Sequence, residues 1–459
     1  MNWSLEKVLL GFIKLGLILV LFSPLVVSSS TLFPFVFGKM IFIRVVVEIV
    51  LGFYIILALF FPKWRPKKSL LFYSLLGYLL ILSLSTLFSV SPYRSFWSTI
   101  ERMDGLFNLV HWLAFFVVLV SCLRTWPQWL QFLNLNFLAS VLVALYAFFQ
   151  QLEVGLPFLY LQGQGRVAGP LGNPAYLGGF LIIPIFLGLF LVFFQKKTFW
   201  KTLFLLGVFF EIYILIATAT RGAIIGMAAG FLVWGVLYLI FGNKKQLKLA
   251  VAGGILFFVV VGSLLMIFRQ SSFVETLSSK SQALERMLTI LEDPSTKSRV
   301  LAWQIGLKAV AQKPLLGWGP ENFGPGFSQY LTPDAYQILG KLWFDRPHNK
   351  LIEEAATGGI LGLLGYLSIF GIAFWELGRL IKQAKSDKKG QAPKVPATCS
   401  LQSPAWFLPL VACLSGYFIQ NLFLFDTPSS YLEFFLVLGL ITFLSLEIQP
   451  HPLRIPSTK

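Results

Sequence analysis

Runs of about 20 apolar residues recur along nearly the whole chain. A helix needs about that length to cross the hydrocarbon core of a bilayer, where only helices and closed barrels satisfy their own backbone groups. Of the 459 residues, 56% are hydrophobic and 12% charged, and the mean hydropathy is +0.76. No soluble domain needs that much apolar surface. The chain is therefore expected to be an all-α polytopic membrane protein with about 12 transmembrane helices. They are expected near residues 8–27, 41–61, 70–90, 105–123, 129–149, 172–194, 199–218, 221–241, 248–268, 351–375, 404–423 and 430–446. The first run resembles a signal peptide in length. It lacks a small-residue cleavage site and a second span follows soon after, so it reads as a retained helix.

Orientation follows from the short loops. Lys63, Arg65, Lys67 and Lys68 follow the second span, and Lys196, Lys197 and Lys201 the sixth. Lys244, Lys245 and Lys248 follow the eighth, and the stretch from Arg379 to Lys394 the tenth. With twelve spans all of these share one side, whereas the opposite short loops hold only Lys39, Arg94, Arg102, Arg166 and Arg221. The positive-inside rule then places both termini in the cytoplasm. The formal charge of +17 reads as a topology signal, with no nucleic-acid partner.

One outer segment is long, residues 269–350, and carries mixed charges. Within it Val300, Trp303, Leu307 and Val310 fall at helical spacing. Ser298 to Ala311 is thus expected as an amphipathic helix lying on the membrane or the bundle, ended by Pro314 and Gly317. A basic cytoplasmic loop is expected at about 376–403. No separate soluble domain and no internal repeat is visible, so residues 1–459 read as one membrane domain, and a transporter built from repeated halves gains no support.

The polar residues that stand out lie on the outer side. Arg166 precedes the sixth span, where Asn173 and Pro174 form an N-cap and first-turn pair. Arg221 opens the eighth span with Thr220 as expected cap. In Arg346-Pro347-His348-Asn349, Asn349 is expected to cap the tenth. These three spans run from outside inward, so each presents a helix N-terminus, with its free N–H groups and positive dipole end, to the outer face. Adding Arg166, Arg221 and Arg346 gives an anion-selective pocket, since guanidinium groups stay charged and bind phosphate oxygens bidentately. A lipid-borne diphosphate fits, because its tail remains in the bilayer. Positive surroundings keep His348 neutral and able to accept a proton, the property of a general base. Asp345 or Glu353 either orients the ring or serves as base instead.

Other signals read as structural. Gly222, Gly226 and Gly230, like Gly358 and Gly362, repeat every four residues and indicate close helix packing. Arg44 and Glu48, four apart, read as a neutralising pair. His111, His451 and the three cysteines (Cys122, Cys399, Cys413) carry no metal or disulfide spacing.

Five stretches together resemble the O-antigen ligase and polymerase family of bacterial membrane glycosyltransferases. They are Phe96 to Phe107, Arg166 to Phe180, Thr218 to Gly230, Gly317 to Tyr330 and Phe344 to Leu367, and they occur in the family's order within a core of about 96–375. The chain is most similar to the subgroup often fused to tetratricopeptide repeats, which it lacks. Family members commonly show Asn-Pro-Asn where this chain has Asn173-Pro174-Ala175.

The resemblance implies a GT-C-like membrane enzyme without metal or cofactor. Such an enzyme transfers a glycan, with inversion, from an undecaprenyl-diphosphate carrier to an acceptor hydroxyl outside the cytoplasmic membrane. It implies His348 as the catalytic residue and Arg166 and Arg221 as diphosphate-binding residues. Arg102, Asp345, Arg346, Asn349 and Asn173 lie inside the matching motifs as secondary candidates. The acceptor stays open between lipid A-core, a growing glycan and a protein. A transporter of anionic lipid or polysaccharide would use the same basic pocket without chemistry.

Overall fold

The computed structural model describes residues 4–155, 166–333, 335, 343–386 and 404–447. His451, Cys399 and most of the expected basic cytoplasmic loop lie outside them. Every regular element among the described residues is a helix. In chain order these are α1 (Leu5–Leu21), α2 (Phe37–Phe60), α3 (Leu70–Leu87), α4 (Pro92–Trp97), α5 (Leu106–Cys122) and α6 (Trp126–Gln151). There follow α7 (Pro174–Val192), α8 (Thr198–Ala217), α9 (Arg221–Phe241), α10 (Lys245–Ile267), α11 (Ser272–Ser279) and α12 (Gln282–Leu288). The last five are α13 (Pro294–Gln312), α14 (Phe323–Gln329), α15 (Lys350–Ser386), α16 (Leu408–Asn421) and α17 (Pro428–Glu447).

A helix stands at each of the twelve expected spans. Nine of them, among the described residues, are long and apolar enough to cross a membrane. The other three, α1, α5 and α16, have 17, 17 and 14 residues. At 1.5 Å per residue α16 covers only about 21 Å. The loop that follows it, 422–427, therefore sits within the bundle, and Leu424 to Thr427 are buried there. Irregular backbone at that depth is tolerated because protein covers it.

Helix α17 runs through the centre, buried on nearly every side, with α7 beside it. Helix α9 packs on α16 through small residues. A Cβ at Gly226 would lie 2.7 Å from the Gly416 carbonyl, and one at Gly230 2.9 Å from that of Ala412. The close packing expected of Gly222, Gly226 and Gly230 is thus present. At the rim, α10 buries none of its 23 residues and touches mainly α9, so most of its circumference is left to lipid.

Helix α15 is broken at Gly359 (φ 67°, ψ −169°), which the glycine spacing alone did not signal. The groups freed by the break are taken up by the 314–319 loop. Ile360 N–H donates to the Pro314 carbonyl at 2.7 Å, while the Ala356 and Thr357 carbonyls accept from Trp318 and Gly319 at 2.9 and 2.8 Å. Only glycine fits here, because φ is positive and a Cβ would meet the Leu315 carbonyl oxygen at 2.2 Å.

The expected amphipathic helix exists as α13, starting earlier at Pro294, but its inward face differs. Ser298, Ala302, Ile305, Gly306 and Ala309 are buried, whereas Val300 and Leu307 point outward. The seam is made by small residues because α13 lies close on α15: a Cβ at Gly306 would sit 2.8 Å from Ile352. Arg44 and Glu48 also depart from expectation. Arg44 donates to the Met103 carbonyl at 2.8 Å, and Glu48 engages His111 Nε2 at 2.9 Å.

Candidate active site

Helix ends prepare the site. Asn173 accepts from the Ala175 N–H at 2.8 Å, and Pro174 follows as the first residue of α7. Asn349 accepts from Leu351 and Ile352 at 3.0 and 3.2 Å and caps α15. In both side chains it is the amide oxygen that makes the cap. Thr220 stands at the N-cap position of α9 without capping it, because its hydroxyl receives the Arg166 Nη2 at 2.9 Å.

Arg166 docks on the α8–α9 corner. Its Nε donates to the Thr218 carbonyl at 2.9 Å and its Nη2 reaches the Ala219 carbonyl at 3.4 Å. No carboxylate among the described residues pairs with it. Burial, then the charges of Arg286, Arg299 and Arg221, push its pKa down to about 10. Arg221 lies beside it at the start of α9. There it is held by Thr296 at 2.9 Å and by Asp293, the residue that also caps α13 through the Ser295 N–H at 2.8 Å. Arg166, Arg221, Arg286 and Arg299 are thus electrostatic neighbours, and Asp293 is the carboxylate bonded to Arg221. Asp293 is held at about 2, with burial opposing and the Ser295 and Arg221 contacts overcoming it.

Helix α13 is the strut that joins these arginines to the histidine loop. Asp293 and Thr296 at its start hold Arg221, Arg299 donates to the Phe423 carbonyl at 3.4 Å, and Trp303 Nε1 donates to the Pro347 carbonyl at 2.9 Å. The same Phe423 packs against Gly222, next to Arg221. Two residues on, Phe425 lies edge-on to the His348 ring with centroids 5.2 Å apart. His348 and Arg166 therefore share Arg299 as an electrostatic neighbour.

The His348 ring sits between Phe344 and Phe425. Its Nδ1 is 3.1 Å from the Arg346 carbonyl. A carbonyl only accepts, so the neutral ring carries its proton on Nδ1 and leaves the Nε2 lone pair open. Desolvation first, then Arg299, depress its pKa to about 4, against smaller opposing contributions from the Arg346 carbonyl and Asp345. At neutral pH the ring is uncharged, and burial contributes more to this than the positive surroundings from which the sequence reading argued.

The remaining candidates separate. Arg102 donates to Asp345 at 2.7 Å and to the Tyr176 hydroxyl at 2.6 Å, its guanidinium lying 5.0 Å from the Phe425 centroid. Asp345 is thereby turned to Arg102 and acts on His348 through charge, and it titrates below its usual range under Arg102 although burial opposes this. Arg346 does not join the other arginines. It is buried and engaged by Asp104 at 3.1 Å, Glu353 at 3.1 Å and Glu321, so its charge is neutralised by three carboxylates. Glu353 is consequently turned to Arg346 rather than to His348.

Sequence reading missed Arg286, Arg299, Asp293 and the 422–427 loop. The two arginines sit in the long 269–350 segment, whose mixed charge hides them, while Phe423 reads as a span residue and Phe425 as part of an apolar connection between spans. Backbone strain marks the same place. Of six non-glycine residues with positive φ among those described, five adjoin this region: Ser98, Met103, Ala219, Glu321 and His348. Strained residues persist only where the surroundings over-determine them, typically at functional sites.

Comparison with known families finds one match: residues 206–367 fit the family model described as O-antigen ligase. That span includes Arg221, Arg286, Arg299 and His348 and excludes Arg166. No curated protein matches the chain. Over residues 206–367, within a polytopic helical fold, the chain is thus similar to the O-antigen ligase family.

Proposed function

We propose that the protein transfers a glycan from an undecaprenyl-diphosphate carrier to an acceptor hydroxyl at the outer face of the cytoplasmic membrane, inverting the anomeric carbon. The observation that carries this reading is the cluster of Arg166, Arg221, Arg286 and Arg299, with Asp293 engaging Arg221, adjoining a histidine whose Nδ1 rather than Nε2 meets a carbonyl. Such a cluster calls for a multiply charged anion. The family supplies glycosyl transfer as the reaction class.

In this mechanism His348 Nε2 takes the proton of the acceptor hydroxyl as that oxygen attacks C1 of the carrier-linked sugar. The bond from C1 to the diphosphate oxygen breaks on the opposite face, and its electron pair stays on the diphosphate, stabilised by Arg166, Arg221 and Arg299. Attack opposite the leaving group inverts the centre. In the free protein His348 is a weak base. A bound diphosphate offsets the surrounding positive charge and raises its pKa, so base strength arrives with the donor.

The test is transfer by reconstituted protein. His348→Ala and Arg221→Ala are each expected to lower the rate by about 100-fold or more with normal membrane insertion. Full activity in both variants would remove the mechanism. The product separates the sub-activities: repeat units growing on the carrier identify a polymerase, and glycan on a lipid or protein identifies a ligase.

A further inference from the structure

We infer that the protein binds a phospholipid with a phosphoethanolamine headgroup at the end of the bundle opposite His348, in a cavity between α3, α15 and α17. The cavity measures about 200 Å³ and is lined by Lys68, Ser69, Glu376, Arg379, Thr442 and Ser445, with leucines 70, 71 and 446 toward the apolar side. The far end of α3 meets the loop preceding the histidine segment, where Ser85 donates to the Leu316 carbonyl. Ser69, at the near end, therefore faces away from the transfer site.

Two kinds of unmet demand meet in this cavity. Lys68 and Arg379 supply positive charge beside the start of α3. There Ser69 Oγ accepts from Phe72 N–H at 3.1 Å and the Ser69 carbonyl from Tyr73. The first-turn N–H groups of Leu70 and Leu71 have no helix partner, which suits an anion. Against them stands Glu376, 6% exposed, whose buried Oε2 accepts no hydrogen bond; Arg379 Nη1 is 3.6 Å from it. Ser445, 4% exposed, holds a second orphaned oxygen. Buried polar atoms without partners are uncommon and call for a ligand group or water.

One ligand satisfies both. Its phosphate meets Lys68, Arg379 and the α3 N-terminus, and its ammonium donates to Glu376 and Ser445. Leu70 and Tyr73, exposed on α3, provide apolar surface for its acyl chains. A choline headgroup has no N–H to donate. A glycerol headgroup brings hydroxyl groups but no cation for Glu376. The site is independent of the transfer reaction.

The test is native mass spectrometry of the intact chain with equimolar ethanolamine, choline and glycerol phospholipids. The ethanolamine lipid is expected to be retained at least about fivefold over each of the others, a preference of the size set by one charge-assisted hydrogen bond. Glu376→Gln should abolish the preference over the glycerol lipid, and Lys68→Gln, at an exposed position that tolerates change, should weaken retention of all three. Soluble phosphoethanolamine at the same concentration should not displace the lipid, because it lacks acyl contacts. Equal retention of the three lipids, an unchanged preference in Glu376→Gln, or displacement by the free headgroup would each overturn the proposal.

Discussion

Asp293 uses its two oxygens on different partners: Oδ1 caps α13 and Oδ2 holds Arg221. In the proposed reaction it competes with the diphosphate for that guanidinium. Asp293→Asn keeps the cap and weakens the competition, so the donor KM is expected to fall several-fold with kcat little changed. Asp293→Ala also removes the cap and should cost about 1 kcal/mol of stability in a melting experiment. The pH dependence at this scale has two signs. Asp293, lowered to about 2, contributes stability above its ordinary value of 3.8 that fades as pH falls toward 2. His348, lowered to about 4 from 6.5, lets the unfolded chain take up a proton first, so its contribution makes stability fall between pH 6.5 and 4. In catalysis the acid limb of kcat/KM, which reports the free protein, should lie near pH 4. That of kcat should lie higher, once a bound donor has offset the arginines. Coincident limbs would argue against His348 as the base.

Among the elements, α13 matters most to the site because it touches Arg221, Phe423 and Pro347 at once. Trp303→Phe preserves the ring and removes the Nε1 bond to the Pro347 carbonyl. Its expected stability cost is about 1 kcal/mol, with a larger fractional loss of transfer rate because His348 follows Pro347 directly. Gly226→Val tests the α9–α16 seam, where the added carbons meet the Gly416 carbonyl; a loss of about 1–3 kcal/mol or failure to assemble is expected in thermal unfolding. That seam was legible in the four-residue glycine spacing, since backbones approach closely only where side chains are absent. The buried face of α13 was not legible. Apolar periodicity pointed to Val300 and Leu307, but next to lipid the tighter contact is made by Ala302, Gly306 and Ala309, and large apolar side chains have no reason to turn inward.

At the scale of the whole molecule, the twelve-helix reading carries a topological expectation: residues 63–68 and 244–248 share one side of the membrane, and residues 269–350 the other. Single cysteines at Lys63 and Lys297, labelled with an impermeant reagent in intact and in opened vesicles, should react from opposite sides. Reaction from the same side would separate the proposed site from the outer leaflet.

The apolar runs and basic loops determined the number and places of the helices, because crossing a bilayer imposes a length and a composition on each segment independently of its neighbours. Motif order gave the family resemblance, which the match at residues 206–367 supports, and Asn-Pro and Pro-His-Asn gave the caps at Asn173 and Asn349. Which charges are free and which are consumed depended on tertiary structure alone. Arg346 and Arg299 look equivalent along the chain, yet Asp104 and Glu321 from distant segments join the nearby Glu353 to neutralise the first, while the second faces the histidine and the other arginines. A charge acquires its partner from whatever the fold brings within a few ångströms, and no local pattern of residues records that distance.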